Sequence, residues 1–355
     1  MTAKPPLTPP KEGNNPPPSG ELEGAINQLI NMVTNKRIVV TGGAGFIGSN
    51  LIEALLLHNN QVVCFDNLLT GSEANIKRFF ANPLFTFVKG DIRNAEECND
   101  VVRGAHIVYH EAALGSVPRS IENPITTTEI NITGFVNMLT AAKNAGVERF
   151  IYASSSSTYG DADYSPKVET QKGNLLSPYA VTKQANDLFA QVFSRTYGMK
   201  TIGLCYFNVF GPYQSPEGAY AAVIPKFISL LRRHKTPVIY GNGAQSRDFT
   251  YVANVVHANV LAATAEFDSS HEHINIACGD STDLTTLTQY MIEKLAEFDE
   301  EIGKIQIQYA PVRQGDILHS CASIEKAHRL LNYTPQVAVK EGIDKTVEWF
   351  WKGAL

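Results

Sequence analysis

The 355-residue chain is poor in the features that mark several protein classes. Its five cysteines (Cys64, Cys98, Cys205, Cys278 and Cys321) are scattered and never spaced as C-x-x-C. That excludes a disulfide framework and a cysteine zinc site, so no metal is expected, and it points to a reducing cytoplasm. No apolar run approaches the roughly 18 residues of a membrane span. The N-terminus lacks the apolar stretch of a signal peptide. Basic residues are no more than a match for acidic ones, with a formal net charge of −5, which leaves no footprint for nucleic acid. Charged residues make up 18% and apolar residues 44%, the balance of a soluble protein with a large core.

Seven of the 18 prolines fall in residues 1–20, among Gly, Ser and Asn. This segment has too few apolar residues to build a core and reads as a disordered tail. Leu22, Ala25, Ile26, Leu29 and Ile30 then recur at helical spacing and predict a short amphipathic helix. From Lys36 onward short β-rich runs alternate with helical ones. Strands are expected at 37–40, 61–66, 85–89, 106–110, 149–154 and 201–206, with helices at 46–58, 134–145 and 179–197. The pattern implies βαβ units, a parallel sheet and helices on both faces: an α/β, doubly wound (Rossmann) fold. Residues 21–208 form this first domain. Residues 209–355 read as a smaller mixed α/β lobe over a substrate, with some segments returning to the first domain. Its expected elements are helices at 223–233 and 252–267 and strands at 238–240, 273–277 and 305–309.

Gly42, Gly45 and Gly48 follow a predicted strand and open a predicted helix. A backbone without Cβ turns tightly there and approaches a pyrophosphate, and the helix N-terminus supplies unpaired N–H donors. Asp66 ends the next strand, about 20 residues further on, where a carboxylate accepts the adenosine ribose hydroxyls. A 2′-phosphate would want an arginine nearby, and Asn67, Leu68 and Leu69 offer none, so NAD is favoured over NADP. Tyr179 and Lys183 lie four residues apart, on one helical face, where a lysine stabilises a phenolate whose ordinary pKa is about 10. Tyr290 and Lys294 have the same spacing but no preceding serine cluster, and read as a surface helix. The run Ser154–Ser157 closes the predicted strand before Tyr179, at the sheet edge where α/β proteins bind ligands. A serine hydroxyl there can bind a substrate oxygen and relay its proton.

The glycine spacing G-x-x-G-x-x-G, with the serine run and the Tyr-x-x-x-Lys pair, resembles the extended short-chain dehydrogenase/reductase family. The resemblance implies cofactor contacts from Phe46, Ile47, Asp91 and Ile92, and from the segment His110–Ala113, including Ala112 and Ala113. Within the family, Ser154-Ser-Ser-Ser-Thr-Tyr-Gly160 is similar to the sugar-nucleotide 4-epimerases. Dehydratases carry an Asp-Glu pair, and decarboxylases a Glu, where this chain has Ser156 and Ser157. The segments Ala112–Ser120, Tyr206–Gly211 and Gly218–Pro225 resemble bacterial UDP-N-acetylglucosamine 4-epimerases.

That likeness implies a UDP-sugar substrate, with Ser155 assisting Tyr179 and the sugar oxidised and re-reduced at C4. It places Asn208, Arg247, Arg313 and Asp316 at the UDP moiety. Ser120, Gln214 and Ala222 fall around the sugar, and Ser116, Arg119, Ser155, Ser156, Ser157, Val223 and Lys226 are further implied substrate contacts. Ser320 takes a gate position, where a small residue leaves room for an N-acetyl group. It also implies a homodimer formed through the helices near Gly134 and Thr182. A uronic-acid epimerase, a sugar-nucleotide dehydratase and a non-catalytic NAD sensor are the alternatives. Two positions depart from the pattern: Cys205 stands where the family has an arginine, and Pro212-Tyr213 where close relatives have paired arginines.

Overall fold

The computed structural model describes residues 33–217, 221–312 and 318–353. The proline-rich tail, the helix expected around residues 22–30, Gly218, Arg313 and Asp316 lie outside them. Seven strands form one parallel sheet: β1 (Arg37–Thr41), β2 (Gln61–Asp66), β3 (Phe85–Lys89), β4 (Ile107–His110), β5 (Arg149–Ser155), β6 (Thr201–Tyr206) and β7 (His271–Ile276). Their order is β7-β6-β5-β4-β1-β2-β3, so the chain winds outward in both directions from the β1–β4 pair. This is the doubly wound fold expected from the sequence, and β7 joins it from beyond residue 208.

β1, β4 and β6 are buried almost throughout because helices cover both sheet faces. One layer centres on Phe135, Met138, Leu139, Phe150 and Tyr152. The other joins Val40, Tyr109, Ile202 and Leu204 to Val255, Ala258 and Ala262 of the helix Val252–Thr264. The helix Pro178–Tyr197 starts with Ser177, whose side chain accepts from the Ala180 N–H, then Pro178, and stops at Gly198 in a left-handed conformation.

Most boundaries fall within two residues of the sequence expectation. The clearest shifts are the strand at 305–309, observed as Gln308–Ala310, and the helix expected to reach Phe267, which ends at Thr264. Two short helices, Val117–Glu122 and Pro124–Thr128, run into a π-helical turn at Glu129–Thr133. Their length and β-branched threonines gave no helical period to read. The second half adds small pairings at the strand ends: Ser246–Arg247 lies between Thr282–Asp283 and His319–Ser320. No described helix is long and apolar enough to cross a membrane.

Candidate active site

A cavity of about 660 Å³ opens at the carboxyl ends of the strands, beside the β1–β4 pair. Its size falls in the range of small-molecule sites, roughly 300–1,000 Å³. One side is built by the glycine turn. Gly42 has φ +66°, and a Cβ there would come within 2.7 Å of the Ala112 Cα and N. A Cβ on Gly48 would fall 2.3 Å from the Gly42 oxygen. The helix Phe46–Leu56 begins with no side-chain cap and no acidic residue in its first turn. Its first N–H groups are therefore left for an anion, and Gly45, Phe46, Ile47 and Gly48 line the cavity.

Asp66 sits buried at the end of β2. One carboxylate oxygen accepts from the Ala44 N–H (3.0 Å) and the other from Leu68 N–H (2.7 Å). Burial raises its pKa, while these two bonds favour the charged form. The fixed carboxylate and the uncapped glycine-rich turn fit a dinucleotide. Asn67 and Ile92 also reach the wall. Asp91 does not. Arg93 grips it at 2.7 Å and Asn67 at 2.9 Å, and chiefly the Arg93 hydrogen bond holds its pKa down at about 2. His110 is buried, bonds Thr41 at 3.0 Å and stacks on Phe150. Burial, with Lys183 nearby, lowers its pKa to about 3, so it is a neutral structural ring.

The cavity is also lined by Ser154, Ser155, Ser156, Ser157, Tyr179 and Lys183. The Ser155 hydroxyl accepts from the Ser157 N–H (3.2 Å) and hydroxyl (3.0 Å), which leaves its own hydrogen to donate. Lys183 is buried, donates to the Ala153 carbonyl at 2.8 Å and lies 6.0 Å from the Tyr179 ring centroid. Ala112, Ala113, Ser116, Asn208, Arg247 and Ser320 line it too. Arg247 and Ser320 are register partners in adjacent short strands. Asn208, at φ +35°, is held by its bond to the Asp248 carbonyl at 3.0 Å.

Other expected residues are not brought to this cavity. Ser120 is buried and bonds the Val117 carbonyl at 2.7 Å. The Arg119 N–H is spent on Ser116. Gln214 donates to the Val209 carbonyl at 3.1 Å, and Ala222, Val223 and Lys226 lie at the start of the helix Val223–Leu231. Cys205 is wholly buried between Ser154 and Asn275 in register. Tyr213, at φ +68°, packs against Trp349 and under the Arg78 guanidinium.

Glu111, within the expected His110–Ala113 segment, lines the cavity, and so does Tyr206, which no sequence signal marked as a cavity residue. The Tyr206 hydroxyl donates to the Glu111 carboxyl at 2.8 Å. Leu69, Thr70 and Gly71, unmarked by any motif, line the cavity beside the glycine turn. Only the His-Glu-Ala-Ala run, read along its whole length, gave a signal for Glu111. Among the described residues no cluster of three or more His, Cys, Asp or Glu could hold a metal.

Residues 38–277 match the NAD dependent epimerase/dehydratase family. A putative UDP-glucose 4-epimerase of Methanocaldococcus jannaschii is 34% identical over 88% of this chain and 97% of its own. The structure of a UDP-N-acetylglucosamine 4-epimerase of Methanobrevibacter ruminantium, in complex with UDP-N-acetylmuramic acid, superposes with a TM-score of 0.84. It is 36% identical and covers 90% of this chain and 99% of its own. A UDP-glucose 4-epimerase of Thermus thermophilus in complex with NAD gives 0.77 at 32% identity, covering 90% and 100%.

Burial pushes the Glu111 carboxyl up to about 7, against the opposing pull of Tyr206 and Lys183. Between the ordinary carboxylate value and 7 the folded chain holds a proton that the unfolded chain has lost, so stability falls as pH rises through that window. Glu111→Gln removes this dependence. Its melting temperature, relative to the parent, is expected to rise from about pH 5 and level off above about pH 7 in thermal scans. A gap constant with pH would contradict the assignment.

Proposed function

Given that the chain belongs to the NAD dependent epimerase/dehydratase family, we propose that it interconverts UDP-N-acetylglucosamine and UDP-N-acetylgalactosamine by inverting C4. One observation carries this reading over a dehydratase: the wall around Ser155 is hydroxyl-lined. Among the described residues the cavity is lined by two carboxyl groups, Asp66, which accepts from the Ala44 and Leu68 amides, and Glu111, which accepts from the Tyr206 hydroxyl. Elimination of water needs an acid beside the sugar, and Ser156 and Ser157 hold that place. The small Ser320 on the wall and the likeness to a UDP-N-acetylglucosamine 4-epimerase support the N-acetylated sugar.

When bound, NAD⁺ would supply the redox chemistry, a reversible hydride acceptor for the sugar C4. Gly42, Gly45, Phe46, Ile47, Gly48, Asp66, Asn67 and Ile92 hold the dinucleotide in this reading. Tyr179 takes the proton of the 4-hydroxyl and gives it back, with Ser155 donating to the same oxygen. Lys183 supplies the positive charge beside the Tyr179 ring. Arg247 and Asn208 keep the UDP end in place while the sugar turns. Arginine suits a diphosphate because its planar fork donates two parallel bonds.

The face of the helix Pro178–Tyr197 bearing Val181, Leu188 and Val192 is exposed, and Ile121 and Ile125 continue it on the helices packed alongside. An apolar patch of this kind on a water-facing surface fits a homodimer contact. All five cysteines are free thiols, in keeping with a cytoplasmic enzyme.

Incubated with a panel of UDP-hexoses, UDP-N-acetylhexosamines and UDP-hexuronic acids, the protein is expected to equilibrate the N-acetylated pair by NMR, without loss of water. Tyr179→Phe is expected to slow this by about 10²- to 10⁴-fold. Turnover of uronic acids alone would overturn the sugar class, and full activity in Tyr179→Phe would overturn the mechanism. By light scattering the parent is expected to be a dimer and Leu188→Glu a monomer; a monomeric parent would overturn the dimer.

A further inference from the structure

The helix that carries Tyr179 and Lys183 has a third polar residue on the same face, one turn further on. Asp187 follows Lys183 at the same four-residue step and is buried. Its carboxylate is the meeting point of four side chains. The Tyr152 hydroxyl donates to one oxygen at 3.1 Å, and the Ser154 hydroxyl to the other at 3.2 Å. The second oxygen also faces His273 Nε2 at 3.2 Å and Lys172 Nζ at 3.4 Å. His273 Nε2 lies 3.2 Å from the Ser154 hydroxyl as well.

The sheet makes room for this arrangement. Tyr152, Gly203 and His273 are register partners across β5, β6 and β7. A Cβ on Gly203 would fall 2.5 Å from the Tyr152 hydroxyl oxygen, so the missing side chain is the space that hydroxyl occupies. Burial alone would raise the pKa of Asp187, but His273, Lys172 and Ser154 outweigh it and hold the carboxyl at about 2.

Side chains alternate along a strand, so Tyr152 and Ser154 both present their hydroxyls to Asp187, and Ser155, next along the strand, lines the cavity beside Ser154. Lys183 binds the carbonyl of Ala153, between them. Three consecutive residues preceding Ser155 are thus gripped by two residues of the helix that bears Tyr179. Sliding the helix by one residue, about 1.5 Å, would break every one of these bonds. Stability is a weak reason for such a site, because a buried ion pair is commonly no more stabilising than a well-packed apolar group. Fixing geometry is a better one.

We propose that Asp187 is a positioning residue for the reaction of the preceding subsection, on which this inference rests. By holding Tyr152 and Ser154 against its helix, it fixes Ser155 relative to Tyr179 and Lys183. The residue touches neither substrate nor cofactor and acts through the serine and the Tyr–Lys pair.

The test uses Asp187→Asn and, should that variant fold poorly, the double variant Tyr152→Phe/Ser154→Ala, which leaves the contacts with Lys172 and His273. NAD content and melting temperature are measured first, then kcat and KM per NAD-loaded molecule. The expected result is a kcat lowered about 10- to 100-fold, the scale of an approximately 1 Å misplacement, with KM within about twofold and NAD retained. A merely structural role would lower stability and NAD content and leave kcat per loaded molecule unchanged. Hydrogen exchange, which needs no substrate, is expected to quicken in peptides covering 153–157 and 178–184. A kcat within about twofold of the parent, or a loss confined to KM, would overturn the inference. Should the parent turn over no UDP-sugar, the preceding reading fails on its own. Unchanged exchange in those two peptides would then still overturn this one.

Discussion

Two backbones touch at the centre of this molecule, and the cavity depends on that contact. Where β1 ends, Gly42 turns with φ +66° directly against Ala112, at the end of β4, with no room for a Cβ between them. β1 and β4 are also the pair from which the sheet winds outward in opposite directions. The loops leaving them diverge and open a crevice at their carboxyl ends. The contact keeps the floor of that crevice narrow and aims the start of the helix Phe46–Leu56 into it. A dinucleotide there meets amide groups that already lack partners, so little has to be rearranged to bind it.

The reactive wall is held by a second, independent device. Lys183 and Asp187 fasten the helix Pro178–Tyr197 to β5 one residue at a time, and β5 ends in the serines. The substrate side is tied in a third way. The Asp248 carboxylate receives the N–H groups of Cys278 (2.8 Å), Gly279 (3.0 Å) and Ala322 (3.2 Å). One buried side chain thereby joins the segments after β7 and after Ser320 to the strand that carries Arg247. Rigid elements thus present each wall, and in the proposed reaction the chemistry falls to a few hydroxyls, one ammonium and one phenol.

The parts of this arrangement legible in the sequence were local or periodic. Glycines between a strand and a helix, a carboxylate at a strand end, and a Tyr–Lys pair one turn apart each carry their geometry in their spacing. What was not legible depends on residues brought together across the fold. Asp91 looked available for a ligand until Arg93, two residues away, was seen folded back over it. Ser120 has the polarity expected of a pocket residue, yet its helix turns it onto the Val117 carbonyl. Glu111 follows β4 and Tyr206 ends β6, and Asp187 meets His273 only because β7 returns to the sheet. Neither pairing leaves a spacing to read, since 95 and 86 residues separate their members. Gln214, Ala222, Val223 and Lys226 were inferred from resemblance alone, and they lie off the described cavity.

The central claim is that one closed site oxidises the sugar at C4 and reduces the same molecule again. It is tested most directly with UDP-N-acetylglucosamine carrying deuterium at C4, incubated together with unlabelled substrate that is marked elsewhere with ¹³C. The account predicts that the UDP-N-acetylgalactosamine formed keeps its deuterium at C4, with none transferred to the ¹³C-marked molecules and none released to water. Loss of the label to solvent, or its appearance in the ¹³C-marked product, would contradict it.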